Sequence, residues 1–285
     1  MRRILIAGCG YVGQVAGTLL AGMGHTVFGL KRNPAGLPEA IHPVAGDLEN
    51  ADSLSTLPED LEDVIISVAA GGFSETQYRA VYLGGVQNLM ARLNRQQQSL
   101  RRIVFTSSTG VYGQVDGEWV TEDSPTQPEG FSGVVMLAAE TQVRHTGIAA
   151  SVLRLGGIYG PGRTRLIRQV AAGEVVLPRV DYFTNRIHRD DAARAIVHVL
   201  EMVQPEPVYN VVDRCPAPYS DVVRWIAGEL DVHSVFAGEE AGSGRIRGGN
   251  KRVSSERLAN TGFDFRYPSY REGYRELIQN EWNRT

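Results

Sequence analysis

An α/β protein built on a doubly wound parallel sheet is what this sequence predicts. Two observations carry that expectation. Near the N-terminus the apolar run Ile4-Leu5-Ile6-Ala7 leads into glycines at Gly8, Gly10 and Gly13, spaced G-x-G-x-x-G, and then into a helical pattern from about Val12 to Met23. From there to Phe105, apolar runs of strand length alternate with stretches of helical periodicity. That order gives parallel strands joined by crossover helices.

Each element has its own warrant. Ile4 to Ala7 is apolar and reads as a buried strand. Gly8 permits the tight turn out of it, Gly10 lets a pyrophosphate approach the backbone, and Gly13 lets the helix pack close to the strand. Tyr11 and Val12 complete the loop, where the helix start offers unpaired N–H groups to phosphates. A glycine triplet in a bare loop is only a flexible turn; between a strand and a helix it marks a dinucleotide site. Cys9, inside the loop, is expected to be a small residue that fits. The second strand, Thr26 to Leu30, ends in Lys31-Arg32. An acidic residue there selects NAD by bonding ribose hydroxyls, whereas cations pair with a 2′-phosphate, so this pair favours NADP over the alternative NAD. The competing reading is two solvated loop cations.

Val44 to Leu48 is expected as a strand ending at Asp47, which bonds an adenine amino group or caps the following helix, Asp52 to Leu57. Strand Asp63 to Val68 runs into Ala69-Ala70-Gly71-Gly72, small residues that leave room for a ligand. Gln77 to Leu93 reads as one amphipathic helix. Ile103 to Phe105 is the next strand, and Ser108 beyond it faces the ligand crevice, either for a substrate carbonyl or hydroxyl or as turn chemistry. A polar loop, Gln114 to Phe131, precedes a helix from Val134 to His145. Strand Ser151 to Leu155 opens the rigid turn Gly156 to Arg163. Leu166 to Ala172 reads as a helix and Val175 to Pro178 as a strand. Ala192 to Met202 is a helix capped by Asp190 or Asp191, Val208 to Val212 a strand, and Ser220 to Leu230 a helix capped by Ser220 or Asp221. Glu239 to Asn250 reads as a mobile loop, Ser254 to Leu258 as a short helix and Ser269 to Trp282 as a longer one.

The totals narrow the class. The chain has 285 residues, enough for a large domain or a domain with a lobe. Lys and Arg number 29 against 32 Asp and Glu, a net charge of −3, and no basic block stands out. Nucleic acid and membrane surfaces are therefore not expected partners. No apolar run approaches the roughly 20 residues of a bilayer span. The opening strand leaves no room for a signal peptide, and Cys9 and Cys215 lack metal-ligand spacing, so no metal and a reducing cytoplasm are expected. Lysine occurs only at Lys31 and Lys251.

Taken together, Gly8–Gly13, Asp47-Leu48, the run Ser107 to Gly113, Leu153 to Gly162, Arg186 to Ile196, Val208 to Val211 and Lys251 to Ser254 resemble the extended short-chain dehydrogenase/reductases, the NAD(P)-dependent epimerase/dehydratase-like group. The likeness spans nearly the whole chain. It implies a Rossmann-type dinucleotide-binding domain over 1–160 and 186–213, a smaller C-terminal substrate lobe over 161–185 and 214–285, and a homodimer through two helices. Ser108 takes the position of the family's catalytic Ser/Thr. The family's Tyr-x-x-x-Lys pair, however, falls on Ser132 and Met136, and no tyrosine lies between Tyr112 and Tyr159. The chain is therefore similar to the atypical members that keep the cofactor fold and lack the dyad. Loss of a placed general acid/base costs roughly 10²–10⁴ in rate. Replacement proton donors are Tyr112, Tyr159 and His188, and Arg163 is suited to clamp a substrate phosphate or carboxylate. Two functions follow: an epimerase/dehydratase-like oxidoreductase acting on a sugar nucleotide or small carbonyl or hydroxyl compound, or a non-catalytic NADP(H)-binding sensor.

Overall fold

The computed structural model describes residues 1–232, 236–237 and 249–282. The chain divides into two compact units, one comprising Met1–Val111, Thr126–Arg154 and Ala193–Tyr209, the other Tyr112–Pro125, Leu155–Ala192 and Asn210–Thr285.

The first unit is organised around a seven-stranded parallel sheet. Its strands are β1 (Arg3–Ala7), β2 (Thr26–Lys31), β3 (His42–Ala45), β4 (Asp63–Ile66), β5 (Arg102–Ser108), β7 (Ala150–Leu155) and β12 (Val208–Val211). The spatial order is β12-β7-β5-β4-β1-β2-β3, so the chain reverses direction of travel at β1, which pairs with β2 on one side and β4 on the other. Ligands of such sheets sit at that switch point, outside the carboxyl ends of the strands. Ile4 to Ile6, Val64 to Ile66 and Ile103 to Phe105 are all fully buried, as a sheet covered on both faces requires. Helices α1 (Gly13–Gly22), α2 (Glu75–Arg79), α3 (Val86–Arg95), α4 (Phe131–Arg144) and α6 (Arg189–Glu201) complete the α/β alternation.

Several local expectations are corrected. The single helix expected over Gln77 to Leu93 is α2 and α3 joined by a π-helical turn, Ala80–Gly85. A Cβ on Gly85 would lie 3.0 Å from the Leu48 Cβ, so the turn is a place of close packing. The strand expected to end at Asp47 ends at Ala45, and the Asp52 to Leu57 helix is a 3-10 segment, Ala51–Thr56, capped by Asn50 rather than Asp47. Asp47 instead accepts the Glu49 N–H at 3.1 Å. Strand β5 runs on to Ser108, so Ser107 lies within the sheet.

Two buried polar arrangements fix the helices. Glu140 on α4 pairs with Arg154 on β7 at 2.8 Å and accepts the Ser107 hydroxyl at 2.5 Å. Both ionised side chains are buried, so the pair sets the register of α4 against β5 and β7. Arg102, also buried, donates to the carbonyls of Val199, Leu200, Met202 and Val203 at 2.6–3.3 Å. It thereby satisfies acceptors that the end of α6 leaves open.

The second unit holds β6 (Trp119–Val120), β8 (Gly157–Tyr159), α5 (Arg165–Ala171), β9 (Val176–Leu177), β10 (Phe183–Thr184), β11 (Arg186–His188), β13 (Ala217–Pro218), α7 (Tyr219–Glu229), β14 (Phe236–Ala237), β15 (Arg252–Val253), α8 (Glu256–Ala259) and α9 (Tyr270–Leu277). Its core gathers Tyr159, Ile167, Val222, Ile226, Tyr270 and Tyr274 from β8, α5, α7 and α9. Neither Asp190 nor Asp191 caps α6 as expected. Asp191 accepts the N–H groups of Arg266 and Tyr267 at 3.0 and 2.8 Å, and Asp190 pairs with Arg189. Helix α7 is preceded by Pro218, and the Ser220 hydroxyl donates to Asp181 instead of capping. Helix α9 has a complete capping box from Ser269 and Glu272, then a π turn, Ile278–Trp282. The loop expected over Glu239 to Asn250 lies, from 239 to 248, outside the described residues.

Asp213 is buried, with one oxygen accepting the Cys215 N–H at 3.0 Å and Oδ2 without a partner among the described residues. Burial pushes its carboxyl up to about 8, against the opposing pull of that N–H and of Arg186. A carboxyl raised on folding favours the folded state below its unfolded value, about pH 4, and that advantage is lost as pH rises to about 8. Thermal melts should therefore show Asp213→Asn gaining on the natural chain progressively between those limits; a pH-independent difference would contradict this. Arg154→Met strands Glu140 in the core and should destabilise the fold by about 3–5 kcal/mol in urea titrations.

Candidate functional site

The turn after β1 is built around missing Cβ atoms. Gly8 has φ 81°, and a Cβ there would lie 2.6 Å from the Ser67 carbonyl oxygen at the end of β4. Its N–H and that of Cys9 both donate to the Leu30 carbonyl at the end of β2, at 3.0 and 3.1 Å. The turn is thus hydrogen-bonded to one neighbouring strand and wedged against the other. A Cβ on Gly13 would meet Ile6 Cγ2 at 3.0 Å, so α1 lies close over β1. Around Gly10 the nearest such contact is 3.9 Å away, which leaves the backbone open on that side. Helix α1 starts after Val12 with no side-chain cap and no acidic residue in its first turn. No acidic side chain of its own first turn therefore competes for its positive end, and the cradle suits a pyrophosphate. Cys9 is fully buried, and burial pushes its thiol up to about 11, so it serves as a small apolar filler.

At the end of β2, Lys31 is half-buried and Arg32 exposed, and neither side chain makes a hydrogen bond or ion pair among the described residues. Asp47 lies half-buried beside the buried Leu48, its backbone N–H held by Ser53 Oγ at 2.8 Å. Ala69 is exposed and Ala70 half-buried in the loop after β4.

Ser108 closes β5. Its Oγ accepts the Gly110 N–H at 3.1 Å, which orients the hydroxyl and leaves its own proton to donate. A Cβ on Gly133 would fall 2.5 Å from the Gly110 carbonyl, so the first turn of α4 rests on the Ser108–Gly110 turn. That first turn carries Phe131 and the half-buried Ser132; Met136 is buried one turn on. The Ser107 hydroxyl, by contrast, is committed to Glu140.

In the second unit the candidate proton donors have structural partners. Tyr112 is buried, and its phenol donates to Asn210 Oδ1 at 2.8 Å. Tyr159 is also buried rather than presented to a crevice: its ring stacks on Tyr274 at 4.5 Å, and a Cβ on Gly273 would sit 2.1 Å from its hydroxyl. His188 Nδ1 accepts the Asp190 N–H at 3.2 Å, which makes the ring neutral, and burial holds its pKa below the ordinary histidine value. It does not titrate as a solvated imidazole would. Arg163 is exposed on the turn after β8.

One feature has no counterpart in the sequence reading. Phe73, 52% exposed, packs against Tyr78 and Phe131 with ring centroids 5.6 and 4.9 Å apart. Tyr78 meets Phe131 edge-on at 5.5 Å. The signal available was three aromatic residues, Phe73, Tyr78 and Tyr82, within ten positions of the Ala69–Gly72 loop. Among the described residues no group of three or more His, Cys, Asp or Glu side chains is placed to hold a metal, and no helix is long and apolar enough to cross a membrane.

The profile of the NAD dependent epimerase/dehydratase family matches residues 4–212. The chain belongs to that family. Among curated relatives, protein YeeZ of Escherichia coli K12 is 27% identical over 94% of this chain and 97% of its own length. A solved structure from Methylobacillus flagellatus, described under the same family name, is 35% identical with a TM-score of 0.82 and 98% of each chain covered. MoeE5, solved with UDP-glucuronic acid and NAD, is 25% identical with a TM-score of 0.81, covering 100% of this chain and 99% of that one. The family is NAD-dependent, and this chain shares its Rossmann-type fold.

The Gly8 geometry has a measurable consequence for folding. Gly36 also has positive φ, at 77°, but nothing lies within 4 Å of its hypothetical Cβ. In urea titrations Gly36→Ala should cost about 1–2 kcal/mol for the backbone alone. Gly8→Ala should cost a further 1–3 kcal/mol or so for the clash with Ser67. Equal costs would mean that the Ser67 contact does not constrain the turn.

Proposed function

We propose that this protein is an NADP-preferring oxidoreductase of the epimerase/dehydratase type, acting on a sugar nucleotide or a small carbonyl or hydroxyl compound. The observation that carries the reading is the open, uncapped Gly8–Gly13 cradle with Lys31 and Arg32 uncommitted at the adjacent strand end. Gly8, Gly10, Tyr11, Val12 and Gly13 hold the pyrophosphate. Asp47 and Leu48 flank the adenine, and Ala69 and Ala70 give the dinucleotide room. Lys31 and Arg32 hold the 2′-phosphate, each charge-assisted bond contributing about 1.5–3 kcal/mol.

When bound, the nicotinamide supplies a hydride donor or acceptor. Ser108, already oriented by the Gly110 N–H, donates a hydrogen bond to a substrate oxygen and fixes the reacting carbon. Arg163 is suited to an anionic group of the substrate. Tyr112, Tyr159 and His188 lose support as proton donors, because burial and packing give each a structural task. The pairing of MoeE5 with UDP-glucuronic acid and NAD favours a sugar nucleotide within the proposed substrate range. A second reading, cofactor binding without turnover, is favoured by the buried Met136 where the family places its lysine.

Calorimetric titration of the double variant Lys31→Glu, Arg32→Ala should weaken NADPH about 10-fold or more beyond any change for NADH. Equal losses would remove the 2′-phosphate assignment. On a panel of sugar nucleotides and small carbonyls, Ser108→Ala should lower turnover about 10²-fold with NADPH affinity retained. Tight NADPH binding with no turnover anywhere on the panel would select the second reading.

A further inference from the structure

Resting on the oxidoreductase reading above, we infer that Tyr78 is the proton donor that stands in for the missing family tyrosine. The argument is one of position. The first turn of α4, where the family's tyrosine belongs, carries Ser132 and rests on the Ser108–Gly110 turn through Gly133. Phe131, the residue before Ser132, meets the Tyr78 ring edge-on at 5.5 Å. Phe73, from the loop leaving β4, packs on both rings. A phenol has therefore been brought from α2 against the residue that precedes the position that lost one.

Tyr78 is also the phenol in the first unit that the fold leaves uncommitted. Tyr82 is buried and hydrogen-bonded to the Ala70 backbone, and Tyr209 accepts the Glu206 N–H at 2.8 Å. Tyr11 lies in the glycine turn itself. Tyr78 is half-buried, held by rings on its apolar sides, and its hydroxyl makes no hydrogen bond among the described residues. Aromatic packing of that kind restricts the ring without using its polar end.

The chemistry balances. In carbonyl reduction the substrate carbon takes a hydride from the reduced nicotinamide cofactor, while the substrate oxygen takes the Tyr78 proton. The products are an alcohol and the oxidised cofactor, and the Tyr78 phenolate recovers a proton from water. Alcohol oxidation is the reverse, with the phenolate taking the hydroxyl proton as hydride leaves carbon.

The test has two arms. In the first, the natural chain is nitrated with tetranitromethane and each tyrosine is followed by peptide mass spectrometry. Saturating NADP⁺ should slow nitration of Tyr78 about fivefold or more, while adenosine 2′,5′-bisphosphate, which lacks the nicotinamide half, should leave it unchanged. In the second, Tyr78→Phe keeps the ring packing and removes only the hydroxyl. Against the substrate panel it should lower kcat about 10²–10⁴-fold, leave KM near its starting value, and abolish the pH limb that the phenol imposes; Tyr82→Phe should change none of these. Unchanged nitration with NADP⁺ bound, or a Tyr78→Phe protein with full kcat and the same pH profile, overturns the assignment while the cofactor reading stands. If calorimetry shows no dinucleotide binding, the cofactor reading fails and Tyr78 falls with it. If dinucleotide binds but no panel compound is turned over, the oxidoreductase reading fails and the assignment of Tyr78 as proton donor falls with it.

Discussion

The absence of a side chain at Gly8 is the constraint on which the first unit depends. At that point the chain must leave β1, bond back to Leu30 on β2 and pass the Ser67 carbonyl on β4. A methyl group has no room there, because the clash is with backbone rather than with a flexible side chain. The spacing of three neighbouring strands and the open cradle above them are therefore one structure. A side chain cannot be added at Gly8 without moving the centre of the sheet. This is why the glycine spacing speaks for fold and cofactor at once.

The scaffold and the chemistry of this family are held by different residues. Glu140, Arg154 and Ser107 form a buried cluster that seats α4 against β5 and β7. Ser132, half-buried, and Met136, buried, lie four residues apart on one face of the same helix's start, where the family's dyad belongs. That cluster seats the helix through residues other than those two. A chain can thus lose the dyad and retain the surrounding geometry, which is the situation in which a phenol from another element becomes useful.

The fold was largely legible because strands buried on both faces announce themselves as unbroken apolar runs, as Ile4 to Ala7 and Ile103 to Phe105 do. What sequence reasoning missed has a common physical cause: polar side chains with several possible partners. Asp191 satisfies two backbone N–H groups some 75 residues away, not the start of its own helix, and only tertiary structure supplies those groups. Asp47 lost the capping role to Asn50, three residues on, for which local spacing gave no preference. The π turn at Ala80–Gly85 escaped notice because its apolar periodicity matches an ordinary helix and only the approach of Gly85 to Leu48 marks it. Tyr112 and Tyr159 follow strands, which argued for a crevice, yet Tyr159 closes the short strand β8 inside the second unit's core and Tyr112 is buried with its hydroxyl on Asn210.

The grip of Arg102 on the end of α6 has a bearing on how the chain comes together. Its fork reaches four carbonyls about a hundred residues further along, so the closing turn of that helix is completed by a strand laid down much earlier. Arg102 lies buried only together with those acceptors, so β5 and the end of α6 complete one another although they stand far apart along the chain.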